Sequence, residues 1–101
     1  MADRQFYDNL LVSIEALFTE DLAWEEAHWS EEDDFMRSEF LHVNVEDAFR
    51  RLGWLRKAHE HGELLPEQVE HLYRVEKIVH EAGPRIRKLT ETMKHSSATL
   101  L

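Results

Sequence analysis

The sequence predicts an all-α fold, an antiparallel bundle of four or five helices, with completion of the bundle by dimerisation as an open alternative. Apolar residues recur at three- and four-residue steps along most of the chain. No segment alternates apolar and polar residues over the length of a strand. All but one of the three glycines and two prolines fall where helix ends are expected. The predicted connections are short, so neighbouring helices are expected to run antiparallel.

The first predicted helix covers residues 3–29 and is long and amphipathic. Its apolar stripe consists of Phe6, Leu10, Ile14, Leu17 and Trp24, widened by Leu11, Phe18 and Leu22. Asp21, Glu25 and His28 continue the line of this stripe. Polar side chains in that position need hydrogen-bond partners, because burial without partners is costly.

The second predicted helix covers residues 31–61. Ser30 is expected to cap it, since a hydroxyl N-cap followed by acidic residues in the first turn satisfies free N–H groups and suits the helix dipole. Asn44 is a second possible cap, so this segment is either one helix or two helices split at residue 44. Gly53 costs about 1 kcal/mol relative to alanine inside a helix. A close helix crossing at Gly53 would justify that cost, and the helix is expected to end near Gly62.

Two further helices are predicted over residues 66–82 and 84–94. Pro66 suits the first turn of a helix, because its fixed φ angle and missing N–H cost nothing there. Gly83 and Pro84 are expected to end the third helix. Pro84 is then expected to open the last, short helix.

The composition predicts one helical domain over residues 1–101. Of these residues, 43% are apolar and 33% are charged, a balance typical of globular proteins. Cysteine is absent, which excludes disulfides, thiolate zinc sites and cysteine nucleophiles. No apolar run is long enough to span a bilayer, and the first residues lack the pattern of a signal peptide. The cytoplasm is therefore the expected compartment.

The net charge of −9 is unevenly distributed along the chain. Residues 1–48 hold fourteen acidic and two basic side chains, whereas residues 49–101 hold seven acidic and ten basic side chains. An acidic first half repels nucleic acid phosphates and attracts a basic protein, so neither nucleic acid nor a membrane is an expected partner. The alternative is that acidic and basic helices pack beside each other, within one molecule or between two copies.

The most unusual local feature is the acidic stretch of residues 20–34, which surrounds two tryptophans. Tryptophan supplies apolar area at an interface, while flanking carboxylates speed the encounter with a basic protein. The alternative is that both tryptophans belong to the core. The predicted partner-binding residues are Glu20, Asp21, Trp24, Glu25, Glu26, Trp29, Glu31, Glu32, Asp33 and Asp34.

Two Glu-x-x-His motifs support a different hypothesis, a di-metal site. Glu25 with His28, and Glu39 with His42, each place a carboxylate and an imidazole on one helical face. This pattern resembles that of ferritin-like helical metalloproteins, and the resemblance implies iron or manganese as the cofactor. A chain with seven histidines and 21 acidic residues is expected to contain about as many such pairs by chance.

The leading functional hypothesis is a small acidic helical module that masks or inhibits a basic protein partner. In charge and size it is similar to immunity proteins and to inhibitors that mimic nucleic acid. No cofactor and no catalytic residue are predicted, and enzyme activity is not expected. The alternatives are the ferritin-like metalloprotein and a homo-oligomeric assembly subunit, such as a homodimer, whose assembly weakens as salt rises.

Overall fold

The computed structural model describes residues 4–100, and the side chains of residues 4–93. The described residues form three long helices and no strand, which confirms the all-α class. The bundle has three helices in this part of the chain, where the sequence predicts four or five. The lower count arises because segments that were expected to be separate helices are continuous.

Helix α1 covers residues 4–28 and consists of three segments. It begins as an α-helix (Arg4–Ala16), passes through a π-helical turn (Leu17–Asp21) and continues as an α-helix (Leu22–His28). A single 3-10 turn (Trp29–Glu31) follows it.

The π-helical turn changes which residues of α1 reach the core. A π turn contains about one residue more than an α turn, so the buried stripe moves by one position along the sequence. Phe18 and Leu22 are fully buried. The buried stripe therefore passes through these two residues and not through Leu17 and Asp21. Glu25 therefore lies at the edge of the core and is only half-buried.

Helix α2 covers residues 34–60, and its N-cap is Asp33 instead of the predicted Ser30. The Asp33 carboxylate accepts a hydrogen bond of 2.8 Å from the Met36 backbone N–H, the usual capping contact. Ser30 belongs to the preceding 3-10 turn and does not cap α2. A carboxylate at the N-cap gains from the helix dipole in addition to the hydrogen bond.

The segment around Asn44 does not interrupt α2. A π-helical turn (Phe40–Val45) joins the α-helical segments Asp34–Glu39 and Glu46–Glu60. The side chains of Phe40, Leu41 and Val45 in this turn are buried. Packing of these apolar groups therefore favours one continuous helix over a new helix capped by Asn44.

The connection between α2 and α3 follows the prediction. Gly62 adopts a φ angle of 70°, which favours glycine because it has no Cβ. The N–H of Gly62 donates to the His59 carbonyl at 3.0 Å, and the N–H of Glu63 donates to the Ala58 carbonyl at 2.9 Å. This pair of bonds is a Schellman motif, which satisfies the last carbonyls of α2.

Helix α3 runs without a break from Pro66 to Leu100 and contains Pro84. The start at Pro66 confirms the prediction, whereas the predicted end at Gly83 and Pro84 is wrong. A proline inside a helix removes one hydrogen bond, and its ring clashes with the N–H and Cβ of the residue before it. Gly83 has no Cβ, which removes part of this clash, and Pro84 is exposed. Val79 and Leu89 pack into the same core on either side of the proline.

The three helices run up, down and up. Side-chain contacts between α1 and α3 keep the same order along both helices, from Arg4 with Glu67 to Trp29 with Thr92. These two helices are therefore parallel. α2 is antiparallel to both, since Arg56 pairs with Glu76 while the later His59 contacts the earlier Tyr73.

One apolar core extends along the bundle, which measures 50 × 21 × 19 Å. Among the described residues, no helix has the length and hydropathy needed to cross a bilayer. The most deeply buried apolar side chains of the core are Leu11, Ile14, Phe18, Leu22, Leu52, Leu55, Leu72 and Val75.

Gly53 has no packing role within the described part of the chain. A Cβ placed on it would meet no atom within 4 Å, so the close helix crossing expected from the sequence does not occur there. Gly53→Ala is therefore expected to raise the free energy of unfolding by about 0.5–1 kcal/mol, because alanine loses less conformational freedom on folding. Urea denaturation at low protein concentration measures this change. A loss of stability would contradict the open surroundings of Gly53.

Candidate partner-binding site

The predicted partner-binding residues lie together at one end of the bundle. They occupy the last turns of α1, the 3-10 turn and the first turn of α2. Residues 20–34 contain eight acidic side chains and no lysine or arginine. The structure assigns these side chains to three different environments.

Trp24 is the exposed aromatic side chain of this end. It is 52% exposed, and its ring stacks on the His28 imidazole with 4.1 Å between centroids. His28 Nδ1 donates a hydrogen bond of 2.8 Å to the Trp24 carbonyl oxygen, which fixes the imidazole against the indole. The pair presents a flat, ordered apolar surface.

Trp29 is a core residue and does not belong to the candidate surface. It is only 9% exposed and packs edge-to-face against Phe40. Its indole N–H donates to Thr92 Oγ1 at 3.0 Å, and the Arg37 guanidinium lies 5.8 Å from the ring centroid. A buried indole with a satisfied N–H has no apolar area to offer a partner.

Three of the predicted acidic residues have partners within the chain. Glu26 forms a bidentate pair with Arg85 of α3, and this hydrogen-bonded guanidinium lowers the pKa of the Glu26 carboxyl. Asp34 lies 3.3 Å from Arg37 Nη1. Asp33 caps α2. These carboxylates have roles within the fold, and those of Glu26 and Asp34 are paired with arginines.

Arg37 connects the start of α2 to the turn that follows α1, a role that was not predicted from the sequence. Its Nε donates a hydrogen bond of 2.8 Å to the carbonyl of Trp29, and it also contacts the indole and Asp34. A guanidinium on the carbonyls at the end of a helix is favoured by the helix dipole. A lone arginine eight residues after a helix end carries no signal that would predict this contact.

Glu25 and Glu32 form a carboxyl pair across the end of α1. Glu25 Oε2 and both carboxylate oxygens of Glu32 are buried and have no hydrogen-bond partner in the described part of the chain. Because two carboxylates can only accept, a hydrogen bond between these groups requires a proton on one of them. Burial, the hydrogen bond to Glu32 and the charges of Glu32 and Asp21 raise the pKa of Glu25 to about 7, against a smaller opposing effect of His28.

The stability of the protein is expected to fall as pH rises from about 4.5 to about 7 because of this pair. The folded state holds the Glu25 proton more tightly than the unfolded state, so the stabilising contribution is complete below the unfolded pKa and lost above the folded pKa. Glu25→Gln imitates the protonated form. It is expected to remove this dependence and to raise the free energy of unfolding above neutral pH by on the order of 1 kcal/mol, reduced by solvent screening.

Denaturation of wild type and Glu25→Gln across this pH range checks the expectation. Glu31→Gln is the matched control, because Glu31 is exposed and outside the carboxyl pair. If the difference in free energy of unfolding between wild type and Glu25→Gln does not change with pH, the shared proton is contradicted.

The remaining carboxylates are exposed and lie at the same end of the bundle as Trp24. Glu20 and Asp21 precede Trp24 by four and three residues, so they lie on the same side of α1. Glu31 is exposed in the 3-10 turn. Within the described residues, none of the three takes part in an ion pair. We call Trp24, His28, Glu20, Asp21 and Glu31 the acidic end.

The structure does not bring the four residues of the alternative metal site together. His28 bonds to the Trp24 carbonyl, while His42 lies 3.7 Å from Glu46 and Glu39 is exposed. Among the described residues, no three histidine or acidic side chains are grouped closely enough to hold a metal ion. One copy of the chain therefore offers no di-metal site in its described part.

Over residues 4–100, fold and site together define a three-helix bundle with an exposed tryptophan at the same end as carboxylates that have no ion pair in that range. Comparison of the chain with protein-family models, with curated proteins and with solved structures gives no match.

Proposed function

We propose that the chain is a small acidic helical protein-binding module that masks or inhibits a basic protein partner through its acidic end. The observation that carries the proposal is the position of Trp24, half-exposed and held against His28, beside carboxylates that have no ion pair in the described part of the chain. Trp24 is the apolar anchor, and Glu20, Asp21 and Glu31 supply the charge.

The burial of Trp29 restricts the proposed surface. With Trp29 in the core and Glu26, Asp33 and Asp34 occupied within the chain, about half of the sequence-predicted residues remain to contact a partner. A small, rigid site of this kind binds through one aromatic anchor surrounded by polar groups. The stacked His28 reduces the entropy lost on binding, because the indole is already held in place.

The proposed mechanism is steric and electrostatic. The negative potential of residues 20–34 attracts a positively charged surface, and the indole then enters an apolar recess on that surface. A partner whose positively charged surface is covered in this way can no longer bind an acidic ligand at that surface. No bond is made or broken, so the proposal assigns no catalytic residue.

The carboxyl pair adds one more binding element to the proposal. Release of its shared proton adds a negative charge beside Asp21, and a nearby cationic partner favours that release. Binding of a basic partner is therefore expected to release a proton near neutral pH. Calorimetric titration in two buffers of different ionisation enthalpy measures the number of protons released.

Binding to an array of synthetic peptides of equal length tests the proposal. The peptides vary in net charge from negative to positive, and half carry one leucine or phenylalanine. Binding is expected to increase with positive charge and further with the apolar residue, and to weaken as salt rises. The variant Glu20→Gln/Asp21→Asn/Glu31→Gln is expected to weaken binding at least about tenfold, and Trp24→Ala by a similar factor.

A variant with the same change in net charge is the control. Glu39→Gln/Glu60→Gln/Glu70→Gln removes three exposed carboxylates outside the acidic end, none of them in an ion pair within the described residues. It is expected to retain most of the binding. Equal loss in both triple variants would show that net charge alone governs binding and would contradict the proposed site.

A further inference from the structure

The outer side of α2 carries a stripe of three exposed residues and one partly buried aspartate, Asp47, that the proposed function does not use. Val43 and Trp54 are about half-exposed, and Asp47 and Arg50 lie between them. The steps along this stripe are four, three and four residues, the spacing of a helix–helix seam. We call Val43, Asp47, Arg50 and Trp54 the outer stripe.

We propose that two copies of this chain form an antiparallel pair through the outer stripe. When α2 is placed against a second, antiparallel α2 with the two-fold axis midway along the stripe, Val43 faces Trp54 of the second copy. In the same register Asp47 faces Arg50 of the second copy. A two-fold interface requires a self-complementary surface, and this order of apolar, acidic, basic and apolar groups has that property.

The charges at the centre of the stripe are already arranged for such a pair. Asp47 accepts a hydrogen bond from Arg50 and forms an ion pair at 2.8 Å with Arg51 Nε of its own chain. Two copies bring these groups into one network of alternating charge. Networks of ion pairs contribute more than isolated surface pairs, especially where solvent is partly excluded.

Gly53 is an independent observation in favour of this surface. It lies inside α2 next to Trp54, where alanine would give a more stable helix, and a Cβ on it would meet nothing in its own chain. Gly53 lies about 100° from Trp54 around α2, at the edge of the outer stripe. A second helix docked on the stripe packs beside the glycine. The cost of glycine in the free chain is then offset in the pair.

Two shallow grooves border the stripe and extend the contact. One is lined by Val43 and Arg50, the other by Trp54 and Phe6 of α1, and Asp47 lines both. A seam of this length buries less surface than a standard protein interface, so a weak, reversible pair is expected. The antiparallel arrangement leaves the acidic ends of the two copies at opposite ends of the pair.

Sedimentation equilibrium of the full chain from micromolar to millimolar concentration tests the pair. A monomer–dimer equilibrium that weakens with salt is expected. Trp54→Ala is expected to weaken association at least about tenfold. Tyr73→Ala, which removes another half-exposed aromatic side chain on α3, is the matched control and is expected to leave association unchanged.

The register is tested by two charge reversals that complement each other. Asp47→Arg and Arg50→Glu are each expected to abolish the homodimer, because the central groups of the two copies then carry like charges. An equimolar mixture of the two variants restores opposite charges at both central contacts and is expected to form a heterodimer. Circular dichroism confirms that each variant is folded before mixing.

The remaining outcomes overturn the proposal. A wild-type chain that stays monomeric at millimolar concentration shows that the outer stripe does not pair. A dimer that survives both charge reversals, or two folded variants that do not associate when mixed, shows that any association uses another surface or another register. These outcomes leave peptide binding at the acidic end unaffected, so the two proposals succeed or fail separately.

Discussion

Phe18→Ala is expected to lower the free energy of unfolding by about 3–5 kcal/mol, the usual cost of removing a fully buried aromatic side chain. Phe18 is 1% exposed and lies in the π-helical turn of α1, where it packs edge-to-face against Phe49 of α2. Truncation leaves a cavity between these two helices. Because small domains are stable by about 5–15 kcal/mol, this single change is expected to bring the protein close to unfolding.

Chemical denaturation followed by circular dichroism measures this loss. Phe35→Ala is the matched control, since Phe35 is 74% exposed and its truncation is expected to change stability by less than about 0.5 kcal/mol. A cost below about 1 kcal/mol at Phe18 would contradict the burial of its side chain between α1 and α2.

Gln68→Leu is expected to cost about 2–3 kcal/mol, although it preserves the volume of the side chain. Gln68 is the one buried polar side chain among the described residues, at 2% exposure. Its Oε1 accepts from the Leu65 N–H at 2.9 Å, which caps the start of α3. Its Nε2 donates to the Arg4 carbonyl at 3.1 Å and to Asp8 Oδ1 at 2.9 Å, which joins α3 to α1.

Leucine at position 68 fills the space but leaves the Leu65 N–H, the Arg4 carbonyl and the Asp8 carboxylate without this partner. Gln68→Glu separates the two roles, because a carboxylate keeps the cap but cannot donate to α1 and repels Asp8. It is expected to destabilise the protein at neutral pH and to recover part of the loss in acid. Equal stability of wild type and Gln68→Leu would contradict the network.

Much of the fold could be predicted from hydrophobic spacing and from the residues at helix ends. The helix end at Gly62 and the start at Pro66 have local causes, a φ angle that favours glycine and a proline that suits a first turn. Those causes are visible in the sequence. The number of helices is not visible in the sequence. A proline such as Pro84 ends a helix unless tertiary packing stabilises the helix on both sides of it, and that packing cannot be seen in the sequence.

The π-helical turns explain most of the remaining differences. Each turn shifts the core stripe by one position, and tertiary packing, not local propensity, decides where the shift occurs. For this reason the sequence alone does not distinguish Trp24 from Trp29, which have similar acidic neighbours. Trp29 is buried and Trp24 is exposed, because the Trp29 indole contacts Thr92 of α3 and Phe40 of α2.

The charged groups of the site were predicted as a set but not by role. Composition identifies residues 20–34 as acidic, whereas the pairing of Glu26 with Arg85 depends on the parallel arrangement of α1 and α3. The Glu25–Glu32 pair depends on the turn after His28, which folds Glu32 back toward α1. Contacts of this kind follow from topology and are not encoded in residue spacing.

The three tryptophan indole N–H signals provide the most direct test of the proposed function. In a ¹⁵N NMR titration with a positively charged peptide that contains one leucine, the Trp24 indole and the amides of residues 20–32 are expected to shift. The buried Trp29 indole and the Trp54 indole are expected to stay in place. Shifts centred on Trp54, or equal shifts with a negatively charged peptide of the same length, would contradict binding of a basic partner at the acidic end.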